Sequence, residues 1–162
     1  QQAVVRASLC VSCGICAGAC PTSTPFRRAS AFVPGIDLPH FPLRDVRSAM
    51  EQASASLMGP NPRVLVVGCD HGFKVNALAN ESVGVLSLPC IGMLPPSFID
   101  FAISRKLADG VMLTGCREGE CHARLGVTWT EARLAGVRDP QLRGRVPRER
   151  IATAWAAPID HR

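Results

Sequence analysis

The sequence predicts an α/β fold: a small cysteine-rich segment followed by a sheet of parallel strands with helical crossovers. Four short apolar runs recur in the later part of the chain, with longer amphipathic stretches between them. Three of those runs end in a cysteine, and four more cysteines crowd together between positions 10 and 20. The 162 residues are 47% hydrophobic and 19% charged, enough apolar material to bury a core of useful size.

Taken in order, residues 1–42 are rich in Cys, Pro, Gly and Ser and show little periodicity, as expected of a small loop-rich segment. Residues 43–62 read as a connecting helix and linker. Val46, Met50, Ala53 and Leu57 recur on one helical face, Gly59-Pro60 stop the helix, and Gly59-Pro60-Asn61-Pro62 form a rigid link. Residues 63–162 form the α/β unit. VLVV (64–67), VGVLSL (83–88), VMLT (111–114) and IATAW (151–155) read as buried strands. Helices are expected near 73–80, from 96 to about 107, and after Cys121, the last with Leu125, Trp129 and Ala132 on one side and Gly136 closing it. Strands alternating with helices give a doubly wound parallel sheet of the flavodoxin-like or Rossmann-like kind.

Composition excludes several classes of function. Aromatic residues are 5% with no tyrosine, so base stacking on single-stranded nucleic acid is not expected. The net charge of +5 fits a solvated basic surface or a docking face for an acidic partner. Residues 83–103 are apolar enough to suggest a membrane span, but Pro89, Pro95, Pro96 and Asp100 argue for buried core. No signal peptide is visible at the start, which is Gln1 and not methionine. Eight cysteines in a reducing compartment point to metal binding in preference to disulfides, and to a cytoplasmic location, free or at the cytoplasmic face of a membrane complex.

The first constellation is C-V-S-C-G-I-C-A-G-A-C-P, so Cys10, Cys13, Cys16, Cys20 and Pro21 satisfy C-x2-C-x2-C-x3-C-P. Two-residue gaps let the chain curl so that three thiolates face one iron–sulfur cube, and Gly14 and Gly18 allow close backbone approach. Zinc sites favour two separated ligand pairs over four thiolates so close in sequence. The segment resembles bacterial-type ferredoxins, which implies a [4Fe–4S] cluster on Cys10, Cys13, Cys16 and Cys20. In two-cluster ferredoxins the fourth cysteine serves the other cluster. Two arrangements are therefore open: Cys20 closes the same cluster, or it serves another one completed by a run outside this chain.

The second constellation is Cys69, Cys90, Cys116 and Cys121. The first three follow VLVVG, VLSLP and VMLTG, at the carboxyl ends of strands, where open parallel sheets bind ligands. If the Cys69 strand lies between the other two, strand spacing of about 4.8 Å gathers three thiols at one edge. Cys121 follows in the loop G-C-R-E-G-E-C-H, with a four-residue gap also found in plant-type [2Fe–2S] ligation. The stretch LPCIGMLPPSFIDFAISRKLADGVMLTGCREGECH resembles the delta-subunit domain of methyl-viologen-reducing hydrogenases over roughly residues 63–156. Pro89-Cys90, Asp109-Gly110-Val111 and the segment from Gly115-Cys116 to Cys121-His122 carry the likeness most specifically. It implies a [2Fe–2S] cluster on Cys69, Cys90, Cys116 and Cys121. It also implies a relay between a hydrogenase or other dehydrogenase and a flavin-containing heterodisulfide-reductase-like subunit. This chain departs from the family pattern at Met93, where an arginine is usual, and in carrying a single cysteine after the first strand.

His122 and His71 stand beside these thiols, as potential-tuning neighbours or as ordinary polar residues. Arg117, Glu118 and Glu120 form a charged loop, and Arg138, Arg143, Arg145, Arg148 and Arg150 read as a solvated basic face. The expected function is a non-catalytic iron–sulfur electron-transfer subunit within a larger complex or fusion. Its partners would be a flavoprotein, a hydrogenase-like or heterodisulfide-reductase-like subunit or a membrane cytochrome, and no nucleic acid is among them. The alternatives are a thiol–disulfide enzyme using Cys116 and Cys121, or a zinc-stabilised interaction module.

Overall fold

A computed structural model describes residues 2–28, 31–59 and 62–160. Helix α1 (Ile15–Ala19) and helix α2 (Leu43–Ala55) precede strand β1 (Val64–Cys69). Strand β2 (Val83–Leu88), helix α3 (Pro96–Ser104), strand β3 (Gly110–Gly115), helix α4 (Gly126–Ala135) and strand β4 (Ile151–Trp155) follow. The four strands are all parallel, in the order β2-β1-β3-β4. The predicted α/β fold is therefore present, with the flavodoxin-type order whose switch point lies between β1 and β3.

Central position explains the composition of β1. Its valines suit the pleat, and Leu65, Val66 and Val67 are all buried because neighbours cover both faces. β4 departs from the expected buried strand: as an edge strand it leaves Ala152 and Thr153 exposed. Residues 73–80 do not form the expected helix. Only a 3-10 turn (Val75–Leu78) forms, and Asn80 pairs with Val83 to start β2. The apolar stretch 83–103 supplies β2, a 3-10 turn (Ile91–Met93) and α3, all part of the core. Among the described residues, no helix is long and apolar enough to cross a membrane.

One buried cluster joins the N-terminal segment to the sheet. Ala17, Phe32, Leu38, Leu43, Val46 and Met50 share it with Leu86, Leu88 and Phe98. The linker Pro60 and Asn61 lie outside the described residues. α4 ends at Gly136 in a left-handed conformation (φ 79°), as its sequence predicts, but its buried face is different. Gly126, Val127, Thr130 and Arg133 point inward, while Leu125 is 44% exposed.

The basic tail is exposed at Arg143, Arg145, Arg148 and Arg150, as expected of a solvated face, but most of its cations also have partners. Arg143 and Arg145 bind the fully buried Asp100 carboxylate at 3.2 and 2.7 Å, and both guanidinium groups lie over the Phe26 ring. Arg148 donates to the Leu134 carbonyl, and Arg138 stacks on Trp129 at 3.5 Å. Arg117, in the charged loop, pairs with Asp160.

Candidate metal centres

Each of the first three strands delivers its cysteine to the same edge of the sheet. Cys69 ends β1, which lies between β2 and β3, so Cys90 and Cys116 arrive on its two sides. Cys69, Cys90 and Cys116 are buried and Cys121 is half-buried. The Cys69 sulfur accepts the His71 amide at 3.4 Å. The hydrogen bond from Cys90 is the main reason the Cys69 thiol is pulled down to about 5; the Cys90 proton is correspondingly held, and its thiol pushed up. Burial raises the Cys116 thiol, with the charges of Cys69 and Cys121 adding to it and the His122 amide opposing. Cys121 acts electrostatically on both Cys90 and Cys116, so all four sulfurs share one neighbourhood.

The first turn of α4 closes this neighbourhood. A Cβ on Gly126 would overlap the Cys90 sulfur and stand 3.2 Å from the Cys121 sulfur, so only glycine lets the helix start there. Among the described residues no side chain caps that helix end, whose dipole is positive. Arg133, on the same buried face, donates Nη1 to the Gly92 carbonyl at 2.9 Å. Its Nε and Nη2 have no hydrogen-bond partner among the described residues, although the side chain is 1% exposed.

The first set behaves differently. Cys10, Cys13 and Cys16 lie together where Ser12 and Gly14 take left-handed conformations and curl the chain before α1. The Ser12 amide donates to the Cys10 sulfur at 3.3 Å. Partial burial raises the Cys16 thiol, and the charges of Cys13 and Cys10 raise it further. Cys20 caps α1, and its sulfur stands 3.1 Å from the Thr22 hydroxyl oxygen, which also accepts the Gly35 amide. Burial pushes its thiol up, but bonds from Thr22 and Gly35 outweigh this and hold it below the usual range. α1 packs on the turn Ile91–Met93, where a Cβ on Gly18 would overlap the Gly92 carbonyl.

Among the described residues, no three His, Cys, Asp or Glu side chains converge closely enough to hold one metal ion. An iron–sulfur cluster spreads its ligands over several irons and tolerates wider spacing. An all-thiolate donor set, a glycine cradle and an orphaned buried cation fit such an anionic group.

Sequence reasoning missed three features. The His71 and His122 rings stack with centroids 3.6 Å apart, and neither residue type nor spacing signals a stack. With Cys13, Pro89 and Arg124 they line a cleft of about 330 Å³ between the two thiol sets. Arg133 was hidden because an arginine on a helix ordinarily reads as surface.

Two known families match the chain. Residues 3–25 match the 4Fe–4S binding domain, and residues 68–162 match the methyl-viologen-reducing hydrogenase delta subunit. The second match covers more than half of the sequence, and the chain belongs to that family. It is an iron–sulfur electron-transfer module whose N-terminal segment is a [4Fe–4S] domain.

Proposed function

We propose that the chain is a two-station electron relay: a [4Fe–4S] cluster held at Cys10, Cys13 and Cys16, and a [2Fe–2S] cluster held by Cys69, Cys90, Cys116 and Cys121. The observation that carries the second station is the sheet order, which brings three strand-end thiols to one edge. Bound clusters supply one-electron carriers; the chain fixes their ligands, covers them from water and tunes them by hydrogen bonds to sulfur. As a delta subunit, the protein works within a redox complex at the cytoplasmic side. It passes electrons between a dehydrogenase or hydrogenase-type donor and a flavin, heterodisulfide-reductase-like or cytochrome acceptor.

The local bonds of Cys20 to Thr22 are compatible with both arrangements open to it, closing the first cluster or serving another one. Anaerobic reconstitution tests both points. About six irons and six acid-labile sulfides per chain are expected, with visible absorption that bleaches on reduction. About four irons removes the second station, and bound zinc without sulfide removes both. In Cys20→Ser, loss of about four irons places Cys20 on the first cluster, and the wild-type iron count places it on another.

A further inference from the structure

Arg133 presents an energetic problem that packing does not explain. Its side chain is 1% exposed, and its one hydrogen bond, to the Gly92 carbonyl, leaves Nε and Nη2 without partners among the described residues. Burying a cation with unused donors costs several kcal/mol unless a negative charge compensates. Among the described residues no ion pair to a carboxylate reaches it, and the charge of Arg138 acts against it. Burial, and the Arg138 charge after it, pull it down to about 10, so it stays cationic at neutral pH.

The helix explains where the cation points. Gly126, Thr130 and Arg133 share the buried face of α4, and side chains on a helix lean toward its N-terminus. Thr130 hydroxyl closes on the Gly126 carbonyl at 2.7 Å. Arg133 runs the same way and anchors on Gly92, two residues past Cys90, whose own Cβ position would meet Gly126 Cα. The guanidinium is thus tied to the segment that carries the Cys90 sulfur.

We propose that Arg133 is the built-in counter-cation of the second thiol set, its free N–H groups serving the negative charge gathered at Cys90, Cys121 and their neighbours. This rests on the reading of Cys69, Cys90, Cys116 and Cys121 as cluster ligands. A [2Fe–2S] group with four thiolates is doubly negative when oxidised and triply negative when reduced. Reduction adds one electron, with no bond made or broken and no proton required, so a buried positive charge favours the reduced form. Because the cation is enclosed, salt screens it little. Arg133 is a positioning and tuning residue for this station.

The test is a potentiometric titration of the anaerobic, reconstituted full chain with dithionite as reductant. It follows the electron paramagnetic resonance signal that disappears in Cys90→Ser. Arg133→Met removes the charge and keeps volume; Arg133→Lys keeps the charge. The methionine variant should shift the one-electron equilibrium at least tenfold toward the oxidised form, about 59 mV lower in midpoint. The lysine variant should restore most of that shift, and added salt should change neither much. Loading of the lysine variant but not of the methionine variant would also support the charge requirement. A methionine variant with the wild-type midpoint overturns the proposal, as does a lysine variant shifted as far as methionine or an equal loss of the two irons in both. A wild-type chain holding only about four irons instead sinks the ligand reading itself, and shows it before any variant is titrated.

Discussion

At the scale of single residues, Gly126 decides whether the second thiol set can close. It is the first residue of α4, and beside Cys90 and Cys121 it has no room for a Cβ. Gly126→Ala forces a methyl into the Cys90 sulfur; such overpacking typically costs about 1–3 kcal/mol. The variant should lose about two of six irons while keeping those of the first set, and melt earlier. Gly144→Ala, where a Cβ meets nothing within 4 Å, should change stability by less than about 0.5 kcal/mol in the same melting experiment. The gathering of Cys69, Cys90 and Cys116 at one sheet edge was legible in the sequence, because a residue just after an apolar run stands at the carboxyl end of a strand. The glycine and Arg133 were not. Gly126 lies in the loop-to-helix junction with no pattern around it, and the burial of Arg133 depends on a carbonyl forty-one residues away. Which cluster Cys20 serves is equally hidden, since the spacing of the run is the same in both cases.

At the scale of elements, the strands were legible because β-branched runs bounded by Gly, Pro and Cys leave little choice of state. Helix faces were less so. The stripe Leu125, Trp129 and Ala132 has helical spacing, yet the sheet edge takes the opposite side of α4, where small and polar residues fit closely against the cysteine-bearing turn. The same blindness applied to α3, whose Asp100 looked like an interruption of an apolar run. It is 0% exposed and holds Ser104, Arg143 and Arg145, fastening the basic loop over the helix. Burial pushes its carboxyl up, but the bonds from Arg145 and Ser104 and the charge of Arg143 outweigh this and leave it below the usual carboxylate range. A depressed acid stabilises the fold fully above its unfolded value, about 3.9, and ceases to do so as pH falls through its lower folded value. Asp100→Asn should therefore cost about 1–3 kcal/mol at neutral pH, hydrogen bonds to charged groups being worth that much. By calorimetry the melting temperature should drop by roughly 2–12 °C. The gap between variant and wild type should begin to narrow below about pH 4, where the unfolded chain takes up the proton, and close only as pH falls through the lower folded value.

At the scale of the whole molecule, the question is whether the two stations ride on one body or on two joined by a linker. Residues 43–62 read in sequence as a connector, but α2 lays Leu43, Val46 and Met50 against β2 with no exposure at all. Phe26 meets Phe101 edge-on with ring centroids 5.6 Å apart, Phe32 faces Phe98, and Ser97 donates to the Ser23 carbonyl at 3.0 Å. Arg47 reaches back to the carbonyls of Pro25 and Arg27. α1 sits on the turn that follows Cys90, so the segment carrying the first thiol set is packed directly on the element carrying part of the second. Burying Leu43, Val46, Met50 and Phe32 is worth about 6–12 kcal/mol on transfer scales, of the same order as the entropy that would be gained if the pieces separated. The aromatic pairs and the α1 contact then tip the balance toward association. A single protease site introduced after Met58, which is 84% exposed, tests this without touching either thiol set. The nicked chain should elute as one species with its full iron content and separate only in denaturant. If the N-terminal fragment instead eluted alone and kept its own irons, the segment would be a tethered module, and a fixed path between the stations would be lost. Co-elution would mean that the distance an electron must cross is set by the fold, through Gly18 seated on Gly92, and not by the reach of a linker.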